Sequence, residues 1–378
     1  MPATLDAPVN AVAERIISAD SHITEPPNCY IDYIDRKYRD TAPHIVFKEG
    51  VGDIYVINGM NDPIPMGLVA AAGKAPEEIK LSGARFDTLH RSGWDGKCRV
   101  ADQERDQVAA EIIYPSVGMV LCNHPDFAYK RACMKAYNRW LLDYASADRT
   151  RIIPLAQIAM SSIDEAITDL HEIKKQGFAG VMMSGVPAYL DYDSPEYDRF
   201  WQTAIDLRLP LSFHILTGKS DAFGAGARGP RINMFMAIIR GCQDIMGMMV
   251  FSGVFERNPG LKVVCVEADA GWAPHFMYRM DHAYTRHRYW MKCPELQKMP
   301  SEYFKEHIYM TFQDDYVAFR TADMVNSKRL MWANDFPHSD STWPHSQAVL
   351  AEQCVHLTEQ QRADICRNNV MELYGLAA

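Results

Sequence analysis

Asp20 and His22 stand two residues apart at the end of the apolar run that starts at Ile16, and Glu25 follows three residues later. The same residue types return at the ends of other apolar runs. His214 follows Leu211-Ser212-Phe213, Glu267 and Asp269 follow Val263–Val266, and Asp335 and His338 follow Leu330–Ala333. Imidazole nitrogens and carboxylate oxygens are the usual ligands of zinc, manganese and iron. Each residue alone has a plainer reading. Asp20 and Asp335 suit helix N-caps, His214 a hydrogen-bonded core histidine, Glu25 a solvated loop charge and His338 a partner of Asp335. With Asp269 left aside, the other seven as a set do not, because carboxylates gathered in one place repel unless cations neutralise them. The set predicts a site for one or two divalent ions, provided that the fold brings the runs together.

The elements that could do so are legible. Short apolar, β-branched runs span Ile16–Asp20, Glu111–Tyr114, Ile152–Gln157, Gly180–Met183, Leu211–His214, Val263–Glu267, Ile308–Thr311 and Leu330–Ala333. The intervals between them mostly have room for a helix. Ser162–Lys175, for instance, places Ile163, Ala166, Ile167, Leu170 and Ile173 on one face. Strands alternating with helices imply a parallel sheet, and eight such units predict an α/β fold, a (β/α)₈ TIM barrel whose strand ends converge on one mouth. Neither a repeat nor a Gly/Pro linker divides the chain, so a single domain over 1–378 is expected. The interval after the first run is too long for a loop. Residues 28–95, which contain the strand-like Asp53–Ile57, are therefore expected to form an inserted lid or subdomain.

Composition removes several classes of function. The 378 residues carry 39 basic and 48 acidic side chains, a net charge of −9, and no run of five Lys/Arg, so nucleic acid is not an expected partner. Nine cysteines without a C-x-x-C pair read as free thiols of a reducing compartment, which makes a cytoplasmic location the expectation. The first fifteen residues lack the apolar block of a secretory signal. Met234–Phe255 is interrupted by Arg240, Gln243 and Asp244 and reads as a buried helix rather than a membrane span. Gly224-Ala225-Gly226-Ala227-Arg228-Gly229 fits G-x-G-x-x-G but follows no strand directly, so no nucleotide cofactor is expected.

Taken together, Asp20-Ser21-His22-Ile23-Thr24-Glu25-Pro26, the lone His214, Phe255-Glu256-Arg257-Asn258-Pro259-Gly260-Leu261, Glu267-Ala268-Asp269-Ala270-Gly271-Trp272 and the segment Asn334–Pro344 resemble the amidohydrolase-related family. That branch contains aminocarboxymuconate-semialdehyde decarboxylase and hydroxybenzoate decarboxylases. The resemblance covers nearly the whole chain from Ile16. It implies a metal-dependent barrel that hydrolyses C–N or C–C bonds, or removes CO₂, without an organic cofactor. It also implies that Asp20 and His22 are the first-strand ligand pair, His214 the fifth-strand ligand and Asp335 the eighth-strand ligand.

Two positions depart from the family pattern. Glu267 stands where the decarboxylases carry a catalytic histidine, and the fourth strand, Gly180–Met183, lacks the bridging lysine of many relatives. In a mononuclear site Asp20, His22, His214 and Asp335 would bind the ion, with Glu267 as general base toward metal-activated water. In a dinuclear site Glu25, Glu267 and His338 would join them, an oxygen-rich set suited to iron or manganese–iron and to O₂ chemistry. Glu267 and Asp335 are the expected catalytic residues. Asn28, Tyr114, Trp272 and Trp343, placed beside the proposed ligands, are expected to line the substrate pocket. The leading expectation is a hydrolase or non-oxidative decarboxylase acting on a small aromatic or unsaturated carboxylate. A dinuclear oxygenase and a non-catalytic partner subunit are the alternatives. A homodimer or higher oligomer is expected from base rates alone.

Overall fold

The computed structural model describes residues 15–61, 63–218 and 228–377. The first fourteen residues and the Gly224–Ala227 part of the glycine pattern lie outside that range.

Eleven strands are described: β1 (Ile16–His22), β2 (His44–Lys48), β3 (Gly52–Val56), β4 (Ile64–Pro65), β5 (Val108–Tyr114), β6 (Ile152–Ile158), β7 (Gly180–Met183), β8 (Leu211–His214), β9 (Val263–Val266), β10 (Ile308–Phe312) and β11 (Leu330–Trp332). Eight of them form one sheet in the order β1-β5-β6-β7-β8-β9-β10-β11, and every pairing in it is parallel. The two edges meet just beyond β11, where Asp335 N–H donates to Asp20 O at 3.1 Å and His22 N–H donates to Phe336 O at 2.7 Å. These bonds bring the first strand against the last, and the (β/α)₈ barrel expected from the apolar runs is the observed architecture.

Barrel strands are covered on both faces, which is why they read as apolar runs rather than as alternating ones. All seven residues of β1 and all four of β9 are buried. The helices around them carry ordinary local signals. Ile163–Gln176 begins where Ser162 Oγ accepts from Glu165 N–H at 3.2 Å and ends at Gly177, whose φ of +84° suits glycine. Its buried face includes Ile163, Ala166, Leu170 and Ile173.

Two elements depart from expectation. The apolar stretch after residue 234 is two helices, Met234–Phe251 and Val254–Arg257, separated at Gly253 with φ +76°. The longer one packs on β8 and β9 but is not wholly buried, since Phe235 and Met236 are 42% and 58% exposed. In the interval between β1 and β5, β2, β3 and β4 form a separate antiparallel sheet, of which only the middle strand was legible.

Candidate metal centre

Asp20 and His22 lie at positions of β1 that share a face, and β8 and β9 deliver His214 and Glu267 to the same end of the barrel. His22 Nδ1 is 2.8 Å from Pro115 O and His214 Nδ1 is 3.1 Å from Ile215 O. A carbonyl can only accept, so both Nδ1 atoms carry the proton and both Nε2 atoms turn a lone pair inward. His22 Nε2 then stands 3.4 Å from one oxygen each of Asp20, Glu267 and Asp335. His214 Nε2 is 3.2 Å from Glu267 and 3.6 Å from Asp20.

All of these are acceptors facing acceptors. Asp20 Oδ1 and Oδ2, His22 Nε2, His214 Nε2, Glu267 Oε2 and both Asp335 oxygens are buried without a hydrogen-bond partner. Ligand atoms about 2.1 Å from a shared ion stand ~3.0 Å apart at octahedral angles and ~3.4 Å apart at tetrahedral ones. The observed spacings fit a divalent cation.

His338 extends the cluster. Its ring stacks on His22 with centroids 3.8 Å apart, and its Nδ1 is 3.0 Å from Asp335 Oδ1. Ser116 Oγ donates to Ile23 O at 2.6 Å, so at 2.7 Å from His338 Nε2 it can only accept, which places the ring proton on Nε2. The Nδ1 lone pair therefore points at a carboxylate, another contact that a cation would relieve. Two overlapping groups result, Asp20–His22–His214–Glu267 and His22–Glu267–Asp335–His338, with ligand atoms in each within 4.8 Å of one another.

The electrostatics show the same competition. Burial lifts the Asp335 carboxyl far above the usual range, and Asp20 beside it adds to the effect. Burial, with Asp335 close by, also raises Glu267. Burial opposes charge on His22, yet Asp20 and Glu267 outweigh it and hold the imidazole well above its ordinary value. Burial and the neighbouring His22 keep His338 well below its own. Protons and cations compete for one set of lone pairs.

Backbone strain marks the site. Glu267, Asp335, Asp269 and Leu216 have φ of +56°, +49°, +55° and +64°, conformations that cost side-chain-bearing residues of order 1–3 kcal/mol each. Thr311 Oγ1 on β10 accepts from Glu267 N–H at 2.9 Å and steadies one of these turns. Behind the ligands, Asn334 Oδ1 accepts from Ser18 and Ser21, and its Nδ2 donates to Glu111. Arg99 pairs with Glu111 and donates to His22 O at 2.6 Å and Phe336 O at 3.2 Å.

Glu25 stands outside both groups, and it is not a solvated loop charge either. It is fully buried, and Oε1 accepts from Ser116 N–H and Gly118 N–H, each at 3.1 Å. Oε2 has no partner, and burial pushes the carboxyl up to about 7.

A cavity of about 520 Å³ opens onto Glu267, Asp335 and His338. None of the four residues expected to line it does so. Asn28 is exposed and donates to Asp32 at 2.9 Å. Tyr114 is buried inside the barrel, its hydroxyl 2.9 Å from Ser212 Oγ. Trp272 Nε1 donates to Ala268 O at 2.7 Å with its ring against Phe276, and Trp343 packs between His90 and Phe336. The walls come from elsewhere in the chain. Ser116, Gln313 and Asp340 line the cavity and were not singled out from the sequence. For Ser116, its place two residues beyond the end of β5 at Tyr114 was the available signal.

The protein is thus a TIM barrel that gathers, at its strand ends, a donor cluster able to hold a metal ion. A family model described as amidohydrolase matches residues 125–376, and the chain belongs to the amidohydrolase family, a family of enzymes. Gamma-resorcylate decarboxylase of Polaromonas sp. is 27% identical over 220 residues, 53% of this chain and 64% of the relative. The match thus spans less than two thirds of that relative's length. The 2-amino-3-carboxymuconate-6-semialdehyde decarboxylase of Dictyostelium discoideum is 21% identical over 316 residues, 79% of this chain and 82% of the relative.

Among solved structures, an amidohydrolase of Mycobacterium avium subsp. paratuberculosis aligns with a TM-score of 0.80 at 19% identity, covering 97% of this chain and 100% of its own. A 5-carboxyvanillate decarboxylase of Novosphingobium aromaticivorans, complexed with manganese and a nitrobenzoic acid, aligns at 0.68 and 18% identity, covering 96% and 97%. At these identities the structural likeness speaks to the fold alone.

Proposed function

We propose that the chain is a metal-dependent, non-oxidative decarboxylase that releases CO₂ from an organic carboxylate. The observation that carries this reading is the convergence of partnerless buried acceptors on one cavity whose described lining contains no Lys or Arg. A substrate carboxylate brought beside Glu267 and Asp335 would meet only negative charge. The divalent ion held by Asp20, His22, His214 and Asp335 would supply the positive charge that binds it and withdraws its electrons. Burial raises the carboxyls of Glu267 and Asp335, and Glu267 is the one left free of the ion to carry a proton. Glu267 gives that proton to the carbon bearing the carboxylate as CO₂ leaves. The electron pair of the broken C–CO₂ bond becomes that of the new C–H bond, so carboxylate plus proton becomes C–H plus CO₂. Residues 28–95 act as the inserted wall and lid over this chemistry, contributing Met60, Ile64 and Leu68 to the cavity.

The test is elemental analysis of native protein together with CO₂ release from a panel of hydroxybenzoates. About one zinc, manganese or iron ion per chain, lost in His22→Ala along with CO₂ release, is the expected result. Protein that neither holds nor rebinds a divalent ion would point instead to a non-catalytic partner subunit.

A second reading rests on His338. Its inward lone pair completes a second ligand group, and two ions per chain with iron among them, one of them lost in His338→Ala, would favour an oxygenase followed by O₂ consumption.

A further inference from the structure

The cavity walls are unlike the ligand cluster beneath them. The intervening segment supplies Met60, Ile64, Leu68 and Leu81, and the facing helix Met234–Phe251 supplies Phe235 and Ile239. Each charged residue in the lining is either one of the clustered donors Glu267, Asp335 and His338 or one of the exposed carboxylates Asp269 and Asp340. At about 520 Å³ the space falls within the ~300–1,000 Å³ of pockets that enclose drug-sized molecules. Phe235 is 42% exposed and Met236 58%, and both border the cavity, so large apolar surface stands ready to be covered.

We infer that the substrate is a carboxylic acid with a neutral hydrocarbon body larger than a single ring, seated between Leu81 and Ile64 on one side and Phe235 and Ile239 on the other. Its carboxylate end rests on the decarboxylase reading above, whereas its apolar body rests on the walls alone. Neutrality follows from a described lining without Lys or Arg, which leaves no fixed counter-charge there for a phosphate or a second carboxylate. The walls therefore select by size and apolarity, and the donor cluster selects for the acid group. Because the two sets of residues come from different parts of the chain, each can be tested separately.

Calorimetric titration of manganese-loaded protein with salicylate, hydroxynaphthoate and octyl-substituted salicylate, with CO₂ release followed in parallel, tests this. The larger acids are expected to bind at least ten-fold more tightly than salicylate. Ile239→Asp and Leu81→Asp, each checked for retained manganese, should both erase that preference. Equal affinity for the three acids, or a preference unmoved by both variants, overturns the inference even if salicylate loses CO₂. Tight binding of the larger acids with no CO₂ from any of them supports the apolar seat while refuting the decarboxylase reading.

Discussion

Glu267 holds a carboxylate in the cluster from a backbone at φ +56°, where most side chains are strained, and its Oε2 lies within 3.4 Å of both His22 and His214. Charge and shape can be separated here. Glu267→Gln keeps the size and the strained turn but removes the negative charge and the proton-carrying group. Turnover is expected to fall by about 10²–10⁴, with weaker retention of the divalent ion on dialysis. Full turnover in the variant would take the proton step away from Glu267. At this scale much was legible, since Asp20, His22, His214, Glu267, Asp335 and His338 were all singled out from type and position, and all six meet. Glu25 was singled out with them but stands outside both groups, because a residue beside Pro26 gives no hint that its carboxylate turns to the amides of Ser116 and Gly118.

The barrel strands were readable because burial on both faces leaves a chemical trace in the sequence. Their ends were less so. Val263–Val266 stops one residue earlier than its apolar pattern suggests, because Glu267 turns into the left-handed region. The walls around residues 59–81 and 235–239 left no comparable mark, since facing surfaces are set by how an insertion docks rather than by local periodicity. The helix Gly96–Asp106 shows how such docking is held. Its Arg99 is fully buried, pairs with Glu111 and reaches the carbonyls of His22 and Phe336. Arg99→Leu leaves Glu111 buried without its counter-ion and is expected to lower stability by about 3–5 kcal/mol. Urea unfolding would show this as a lower midpoint, and metal content should fall as the ligand backbone loosens. A midpoint within error of the parent would mean that Gln103 and Asn334 suffice to hold Glu111.

Across the whole molecule, acidity is both a net property and a local one. Asp106, remote in sequence from the ligands, accepts from Ser346 N–H and pairs with its hydroxyl, and burial raises its carboxyl to about 6 from an ordinary 3.8. Between those values the folded chain holds a proton that the unfolded chain has released. This contribution to stability is complete below about pH 4 and is lost as pH rises through about 6. Asp106→Asn should flatten the dependence of the melting temperature on pH in that window, and an unchanged slope would place its origin elsewhere. The barrel's closure carries a wider consequence. The amides that join its first and last strands belong to His22 and Asp335, the same residues whose side chains belong to the donor cluster. An ion gripped by those side chains would act as a clasp on the barrel itself. Deuterium uptake at these two amides should therefore slow when manganese is added, making the reactive centre also the point at which the cylinder is fastened.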